Sequence, residues 1–272
     1  MDVALSKTGS RILRVFFALV VVFLYAPIVI LLIFSFNDSP VPTFPLGGFT
    51  FHWYYEFATN SDLRNALQTS AIVASLSSVV AVALGILASI ALVRRRFRGK
   101  APVSALLLSP LVIPLVVFGT SLLLLFHAVH MQLGVTTVVI GHIVITVPYT
   151  ILVIMPRLQQ IDVSLEEAAY DLGASRLRTF RSITFPLILP AIVSAFLIAF
   201  TTSFDEYAVA SFVVGSSTTF PIYLYSALRF PNQLPQVIAV AVVVIAISLA
   251  IVVAAEVGRR VAERRLGDLE PG

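Results

Sequence analysis

The chain lacks cysteine and has little charge: none of its 272 residues is a cysteine, and only 12% are charged. Without thiols, disulfide bonds, thiol catalysis and cysteine-ligated metals are excluded. Soluble domains carry about 25% charged residues, so the low charge excludes a soluble enzyme, a nucleic-acid-binding protein and a disordered chain. Hydrophobic residues make up 58%, which indicates a membrane protein.

Long charge-free runs alternate with short charged segments along the whole chain. A membrane-crossing helix needs about 20 apolar residues, and the polar segment 127–134 divides the longest run in two. We therefore predict an all-α membrane protein with a single transmembrane domain, residues 1–272, in which the first span is retained rather than cleaved. The six predicted transmembrane helices cover residues 12–36, 66–93, 102–126, 135–155, 187–213 and 234–257.

The basic residues predict the orientation. Six spans place all 18 lysines and arginines except Arg64 and Arg229 on one side of the membrane. Basic residues near the ends of spans favour the cytoplasm, so both termini are predicted to be cytoplasmic.

Two further segments have a recognisable composition. Residues 37–65 form the longest external loop and are rich in aromatic side chains, which predicts a short helix at the membrane–water interface; direct contact with a ligand is the alternative. Pro110 and Pro114 are expected to kink the third span and Pro148 the fourth, because proline removes a backbone donor.

The loop at residues 157–186 carries a short amphipathic helix. Ser164 and Glu167 fit a capping box at its start, and Gly173 fits the left-handed residue that closes a helix. Its apolar residues recur at helical spacing and form one narrow face: Leu165, Ala168, Ala169 and Leu172. So short a helix is marginal alone. It is therefore either a docking helix for a partner or an amphipathic turn on the lipid headgroups, and its acidic residues disfavour the headgroups.

The same loop resembles the EAA loop of ABC-importer permeases. Residues 167–169 read Glu-Ala-Ala, and Gly173, Ile183 and Pro186 follow at the family's spacing, with Phe185 where leucine is usual. In that family the loop forms a coupling helix in a groove of a cytoplasmic ATPase. The residues assigned to coupling are Glu166, Glu167, Ala168, Ala169, Asp171 and Gly173.

The wider chain is similar to the spermidine/putrescine importer permeases, and most similar to the second permease subunit of such systems. The segments that carry this likeness read YAPI from Tyr25, SFN from Ser35, WY from Trp53, RFRGK from Arg96, SPLVIP from Ser109, SFDE from Ser203, SFVVG from Ser211 and PIYLYS from Pro221.

The resemblance implies the type I ABC-importer permease fold in a bacterial inner membrane. It also implies a second permease subunit, two ATPase subunits and an external substrate-binding protein as partners, besides membrane lipid and without nucleic acid. The cargo would be a polyamine, with an opine or another small solute as the alternative.

Asp205 and Glu206 are the only adjacent acidic pair beside a span. The pair is expected near the external edge of the fifth span. Ionisable groups within a span usually face a cavity or a partner, and two carboxylates would attract the ammonium groups of a polyamine. Tyr207 could add a cation–π contact. We therefore assign Asp205, Glu206 and Tyr207 to a substrate pathway, with a solvated pair or a salt bridge between subunits as the alternative.

No catalytic or metal site is expected on this chain. Gly119 and Ser121, with His142 further on, resemble a serine-protease dyad only superficially, because Leu123 stands where a nucleophile elbow needs its second glycine. The histidines lack a metal-binding spacing, and Gly99-Lys100 lacks the upstream glycine of a phosphate-binding loop. ATP and magnesium would therefore belong to a partner ATPase, and the chain itself would be no enzyme. The alternative function is a self-sufficient secondary transporter or channel.

Overall fold

The charge-free runs fold into helices, and no strand occurs among residues 7–267, which are the residues that this computed structural model describes. A bilayer offers the backbone no hydrogen-bond partners, so these runs must satisfy their own amides and carbonyls. The prediction of an all-α protein is confirmed. The helices are α1 (Lys7–Phe34), α2 (His52–Thr59), α3 (Ser61–Arg94), α4 (Lys100–Leu108), α5 (Leu115–Ala128), α6 (Val135–Gln159), α7 (Val163–Asp171), α8 (Arg176–Thr179), α9 (Phe185–Phe204), α10 (Ala210–Val213), α11 (Phe220–Ala227) and α12 (Leu234–Gly267).

Four segments are long and apolar enough to cross a membrane within the described part of the chain. They are Gly9–Phe34, Ser61–Arg94, Val135–Gln159 and Arg176–Phe204. The segments Lys100–Leu111 and Leu115–Ala128 add a fifth span if the pair is counted as one. The apolar part of α12, Leu234–Ala250, is shorter. A count of six spans stays a prediction.

The third predicted span is broken rather than continuous. Its two halves meet at 102°, and α5 begins directly after Pro114. Pro110 lies in the short 3₁₀ turn that precedes the break, where a missing backbone donor interrupts the helix. By contrast, Pro148 lies inside α6, which runs unbroken to Gln159.

The fifth predicted span, residues 187–213, is also interrupted. Helix α9 ends at Phe204, and the chain becomes helical again only at α10. The carboxylate of Glu206 accepts hydrogen bonds from the backbone N–H groups of Val209 (2.7 Å) and Ala210 (2.9 Å). Glu206 lies in the interruption itself, and its carboxylate accepts the hydrogen bonds that helical carbonyls would otherwise accept.

The chain divides into two compact units, residues 1–60 with 226–272 and residues 61–225. In the first unit the long loop is folded: the indole N–H of Trp53 donates to the carbonyl of Asn37 at 2.9 Å, and the hydroxyl of Tyr54 donates to Ser35 at 2.8 Å. Its short helix is present as α2, while its location at the membrane interface stays a prediction.

In the second unit, α3, α6 and α9 pack together around buried small and aliphatic side chains. Helices α3 and α6 approach each other closely where Gly85 faces Thr150: a Cβ atom on Gly85 would lie 2.8 Å from the Cβ atom of Thr150. The hydroxyl oxygen of Thr150 lies within hydrogen-bond distance of the carbonyl of Val147 on its own helix (2.7 Å) and of Ala81 on α3 (3.1 Å). This rigid bundle holds both candidate sites, one at each end of α9.

Candidate functional site

Helix α7, at the centre of the EAA-like loop, is capped by a residue that the sequence analysis missed. Its N-cap is Asp162, whose carboxylate accepts from the backbone N–H of Ser164 at 2.9 Å. The predicted capping box of Ser164 and Glu167 is therefore wrong, because Asp162 caps the helix two residues earlier. The bond from the Ser164 N–H lowers the pKa of Asp162 below its ordinary value. The cap thus stabilises α7 above that ordinary pKa and is lost as the pH falls through the lowered one.

The other end of α7 closes as the sequence predicts. Gly173 has φ +80°, in the left-handed region that glycine adopts without strain. The N–H of Gly173 bonds to the carbonyl of Tyr170 and the N–H of Ala174 to the carbonyl of Ala169, each at 2.9 Å. These two bonds form a Schellman motif, so α7 is a rigid unit with fixed ends.

Glu166 ties α7 to the bundle. Its carboxylate lies 3.2 Å from the Nε atom of Arg94, at the end of α3. The hydroxyl of Thr184, just before α9, donates to the same carboxylate at 2.9 Å. Arg94 also donates to the carbonyl of Ile161 at 3.2 Å. We call Arg94, Glu166 and Thr184 the α7 joint, because these three side chains connect α7 with the ends of two long helices.

The remaining residues assigned to coupling are less buried than Glu166. Glu167, Ala168, Asp171 and Gly173 are exposed, and Ala169 is half-buried. Their apolar neighbours are uncovered as well, since Leu165 is 47% and Leu172 is 90% exposed. Within the described chain, three of the four residues of the apolar face predicted for α7 are thus exposed.

The second candidate site is a cavity of about 530 Å³ beside the break between α9 and α10. Asp205 lines it, and its carboxylate has no hydrogen-bond or ion-pair partner among the side chains that the structure describes. The rings of Tyr207 and Tyr225 stack at its wall, with centroids 4.1 Å apart. A carboxylate beside two aromatic rings provides ion pairing and cation–π attraction for an ammonium group.

Glu206 lines the same cavity, but its carboxylate is occupied. Besides the two amides that it caps, it lies 3.2 Å from the Nε2 atom of His142. The structure therefore brings all three predicted pathway residues to one cavity, and only Asp205 and Tyr207 are exposed there.

Sequence reasoning missed four side chains at these sites: Arg94, Thr184, His142 and Tyr225. Arg94 was read only as one of the basic residues that set the orientation. A sequence signal existed for the α7 joint. Adjacent residues of a helix point about 100° apart, so Glu166 and Glu167 could not both face a partner, and one of them had to face another side of α7. No comparable signal linked Tyr225 to Tyr207.

The α7 joint predicts how strongly α7 is held. Replacing Glu166 by Ala leaves Arg94 without its counter-ion and removes the acceptor of Thr184, which costs several kcal/mol at a buried pair. We expect amide hydrogen exchange across residues 163–171 to become at least about tenfold faster, since 1.4 kcal/mol corresponds to a factor of ten. Glu167→Ala, which removes an exposed carboxylate of the same helix, is the matched control and should leave the exchange unchanged. Equal exchange in both variants would contradict the joint.

The chain matches a known family over most of its length. Residues 81–267 fit the family described as "Binding-protein-dependent transport system inner membrane component". The chain is 37% identical to the putrescine transport system permease protein PotI of Escherichia coli strain K12, over 91% of both chains. It is 36% identical to the spermidine/putrescine transport system permease protein PotC of the same strain, over 96% of this chain and 99% of the relative.

Solved structures show the same fold. A chain of a bacterial ABC transporter that imports the acidic polysaccharide alginate superposes with a TM-score of 0.73 at 16% identity, covering 94% of this chain and 98% of that one. A chain of a bacterial alginate ABC transporter in complex with an alginate pentasaccharide-bound periplasmic protein superposes with a TM-score of 0.69 at 17% identity. The match covers 93% of this chain and 94% of that one. The matched family model and the identity to PotI and PotC show that the chain belongs to the binding-protein-dependent inner membrane permeases of ABC importers.

Proposed function

We propose that the chain is the second permease subunit of an ATP-driven importer of polyamines or related small cations, and that α7 couples it to the ATPase. The observation that carries the coupling is the exposed apolar face of a helix that is otherwise rigidly held. The names of the relatives PotI and PotC support a polyamine cargo. Membership of the permease family disfavours a self-sufficient transporter or channel.

The energy for transport comes from partner subunits in this proposal. Two cytoplasmic ATPases bind ATP and magnesium, and each offers a groove to a permease helix. Leu165, Ala168 and Leu172 fill the groove of one ATPase, while Glu167 and Asp171 supply directional polar contacts around it. Two alanines at the centre of α7 let the partner backbone approach closely.

The α7 joint transmits the movement of the ATPases to the pathway. When the two ATPases close on ATP, they displace α7, and the ion pair of Glu166 with Arg94 pulls on the end of α3. The hydrogen bond of Thr184 pulls at the same time on the start of α9. Because packed interfaces tend to have two discrete arrangements rather than a continuum, the bundle then switches between an inward-facing and an outward-facing state.

The rest of the assembly follows from the same proposal. Six helices cross a bacterial inner membrane with both termini in the cytoplasm, a second permease subunit completes the pathway, and an external binding protein delivers the cargo. The alginate transporter, whose chain has the same fold, was solved with a periplasmic protein bound, which supports the last of these partners.

The cavity at Asp205 is the cargo pathway in this proposal. The unpartnered carboxylate attracts an ammonium group, and the stacked rings of Tyr207 and Tyr225 hold the adjoining methylene groups or the ammonium itself. The break between α9 and α10 supports this assignment, since irregular backbone inside a membrane protein is tolerated where it lines a cavity.

The docking role of α7 predicts the effect of charge on its apolar face. Leu172→Asp places a carboxylate in the groove, where burial without a partner is costly. We expect the ATPase to stop co-purifying with the permease pair, while the amount of permease in the membrane is unchanged. Leu177→Asp, which alters an exposed leucine of α8 off this face, is the control and should retain the ATPase. Retention by both variants would refute the docking face.

The pathway role of Asp205 predicts a defect specific to cations. Asp205→Asn keeps the size of the side chain but removes the only unpartnered carboxylate among the described residues that line the cavity. We expect uptake of a radiolabelled diamine by reconstituted importer to fall at least about tenfold, because at an effective dielectric of 20 a charge pair at contact distance is worth several kcal/mol. Asp62→Asn, at the start of α3 and outside the cavity, is the matched control. Unchanged uptake by Asp205→Asn would remove the cavity from the pathway.

A further inference from the structure

A π turn, Phe180–Thr184, directly precedes α9. Its backbone is wider than that of an α-helix, because the N–H of Phe185 donates to the carbonyl of Phe180, five residues earlier instead of four. Such turns are rare inside helices and occur frequently at functional sites. Pro186, which ends the pattern shared with the EAA loop, lies two residues after the turn. The coupling role proposed for α7 assigns no function to this proline.

Pro186 removes the α-helical alternative to the π turn. In an α-helix, residue 186 would donate its N–H to the carbonyl of Ser182, four residues earlier. Proline has no N–H, and its ring collides with that carbonyl, whereas a wider turn moves the carbonyl away from the ring. A proline alone does not impose a π turn, since Pro190 lies inside α9 and the helix there remains an α-helix. A second requirement must therefore select the wider turn.

The buried residues of the segment supply this requirement. The buried side chains of α9 and of the residue before it follow the α-helical repeat, and they are Thr184, Ile188, Ala195, Ala199 and Ser203. Thr179 is buried as well, five residues before Thr184. In an α-helix, two residues five apart point about 140° away from each other. In a π turn, groups five apart come to the same side, so the wider turn lets both threonines be buried.

The α7 joint depends on the same alignment. Thr184 belongs to the buried face of α9, whereas Glu166 lies on α7, which is connected through α8 to the other end of the π turn. The hydroxyl of Thr184 donates to the carboxylate of Glu166 at 2.9 Å. If the turn closed to an α-helical one, α8 would rotate by about 100° relative to α9. Glu166 would then move away from Thr184.

We propose that Pro186 is a positioning residue for the α7 joint: it keeps the π turn open, and the open turn holds Thr184 against Glu166. This inference rests on the proposed coupling role of α7. Without the π turn, Glu166 would keep its ion pair with Arg94 at the end of α3 but lose its bond to the start of α9. Movement of α7 would then reach α3 and no longer reach α9.

The first test is a double-mutant cycle in the assembled importer. Pro186→Ala restores the N–H and removes the ring, so that the turn can close. We expect amide hydrogen exchange across residues 163–171 to become about tenfold faster, the order of effect that follows the loss of a hydrogen bond to a charged group. Thr184→Val removes the same bond and should have a similar effect. Because two substitutions that break one contact are not additive, Pro186→Ala/Thr184→Val should exchange no faster than Thr184→Val.

Pro190→Ala is the matched control for this cycle. Pro186 and Pro190 are both exposed prolines of α9, four residues apart, so neither substitution opens a cavity and each restores one N–H. Pro190→Ala should leave the exchange across residues 163–171 unchanged. Exchange that is unchanged in Pro186→Ala, equally fast in Pro190→Ala, or additive in the double variant would overturn the inference.

The second test measures how much diamine the reconstituted importer takes up for each ATP hydrolysed. Pro186→Ala leaves the exposed face of α7 in place, so the ATPase stays bound and hydrolysis continues. We expect uptake per ATP to fall at least about fivefold, because α9 no longer follows α7. A merely structural role of Pro186 would lower uptake and hydrolysis together, and an unchanged ratio would contradict the inference.

The outcomes separate this inference from the proposed coupling. If Leu172→Asp loses the ATPase while Pro186→Ala changes neither the exchange nor the ratio, only the role of Pro186 fails. If Leu172→Asp retains the ATPase, the docking of α7 fails. The exchange cycle then still decides whether Pro186 holds Thr184 against Glu166, because that cycle does not depend on docking.

Discussion

The ion pair between Glu166 and Arg94 is the contact on which the arrangement of α7 depends. A carboxylate that leaves water needs a counter-charge and hydrogen bonds to offset its desolvation, and Glu166 has both, from Arg94 and Thr184. Since the two partners stand at the ends of α3 and α9, the same bonds fix α7 to two long helices. With Glu166 turned inward, helix geometry turns Leu165 and Leu172 outward.

The two adjacent carboxyl groups of Asp205 and Glu206 differ in their surroundings. Glu206 is buried, accepts hydrogen bonds from two backbone amides and lies beside His142, whereas its neighbour Asp205 is exposed and has no partner among the described side chains. Glu166 and Glu167 differ in the same way, since Glu166 is buried and paired whereas Glu167 is exposed. In each pair one carboxyl group holds the backbone in place, and the other remains available to a partner or a ligand. Adjacent acidic residues in an apolar chain therefore need not share a function.

Much of this could be predicted from the sequence, because a chain in lipid has few alternatives. Apolar runs dictated the helices, the spacing from residue 167 to Pro186 indicated the family, and Gly173 marked the end of α7. The N-cap was misplaced because Asp162 and Ser164 are both good caps, and only the backbone geometry decides between them. The interruption after Phe204 was missed because Glu206 stabilises it through amides that the sequence does not reveal.

Long-range pairs were beyond sequence reasoning for a different reason. Arg94 lies 72 positions before Glu166 and His142 lies 61 positions before Ser203, so no local pattern connects them. Their partners are set by how α3, α6 and α9 pack, which depends on close contacts such as that of Gly85 with Thr150. A buried polar group is stable only with a hydrogen-bond or ion-pair partner, and the packing of the helices decides which group is close enough to be that partner.

The central claim is that the outer face of α7 docks on an ATPase. The chain has no cysteine, so Leu172→Cys introduces a single thiol, and a short thiol-to-amine cross-linker can report its neighbour in the assembled importer. The account predicts a cross-link to the ATPase subunit, together with protection of that thiol from a water-soluble maleimide when the ATPase is present. A thiol that reacts equally fast with and without the ATPase, and forms no cross-link to it, would contradict the account.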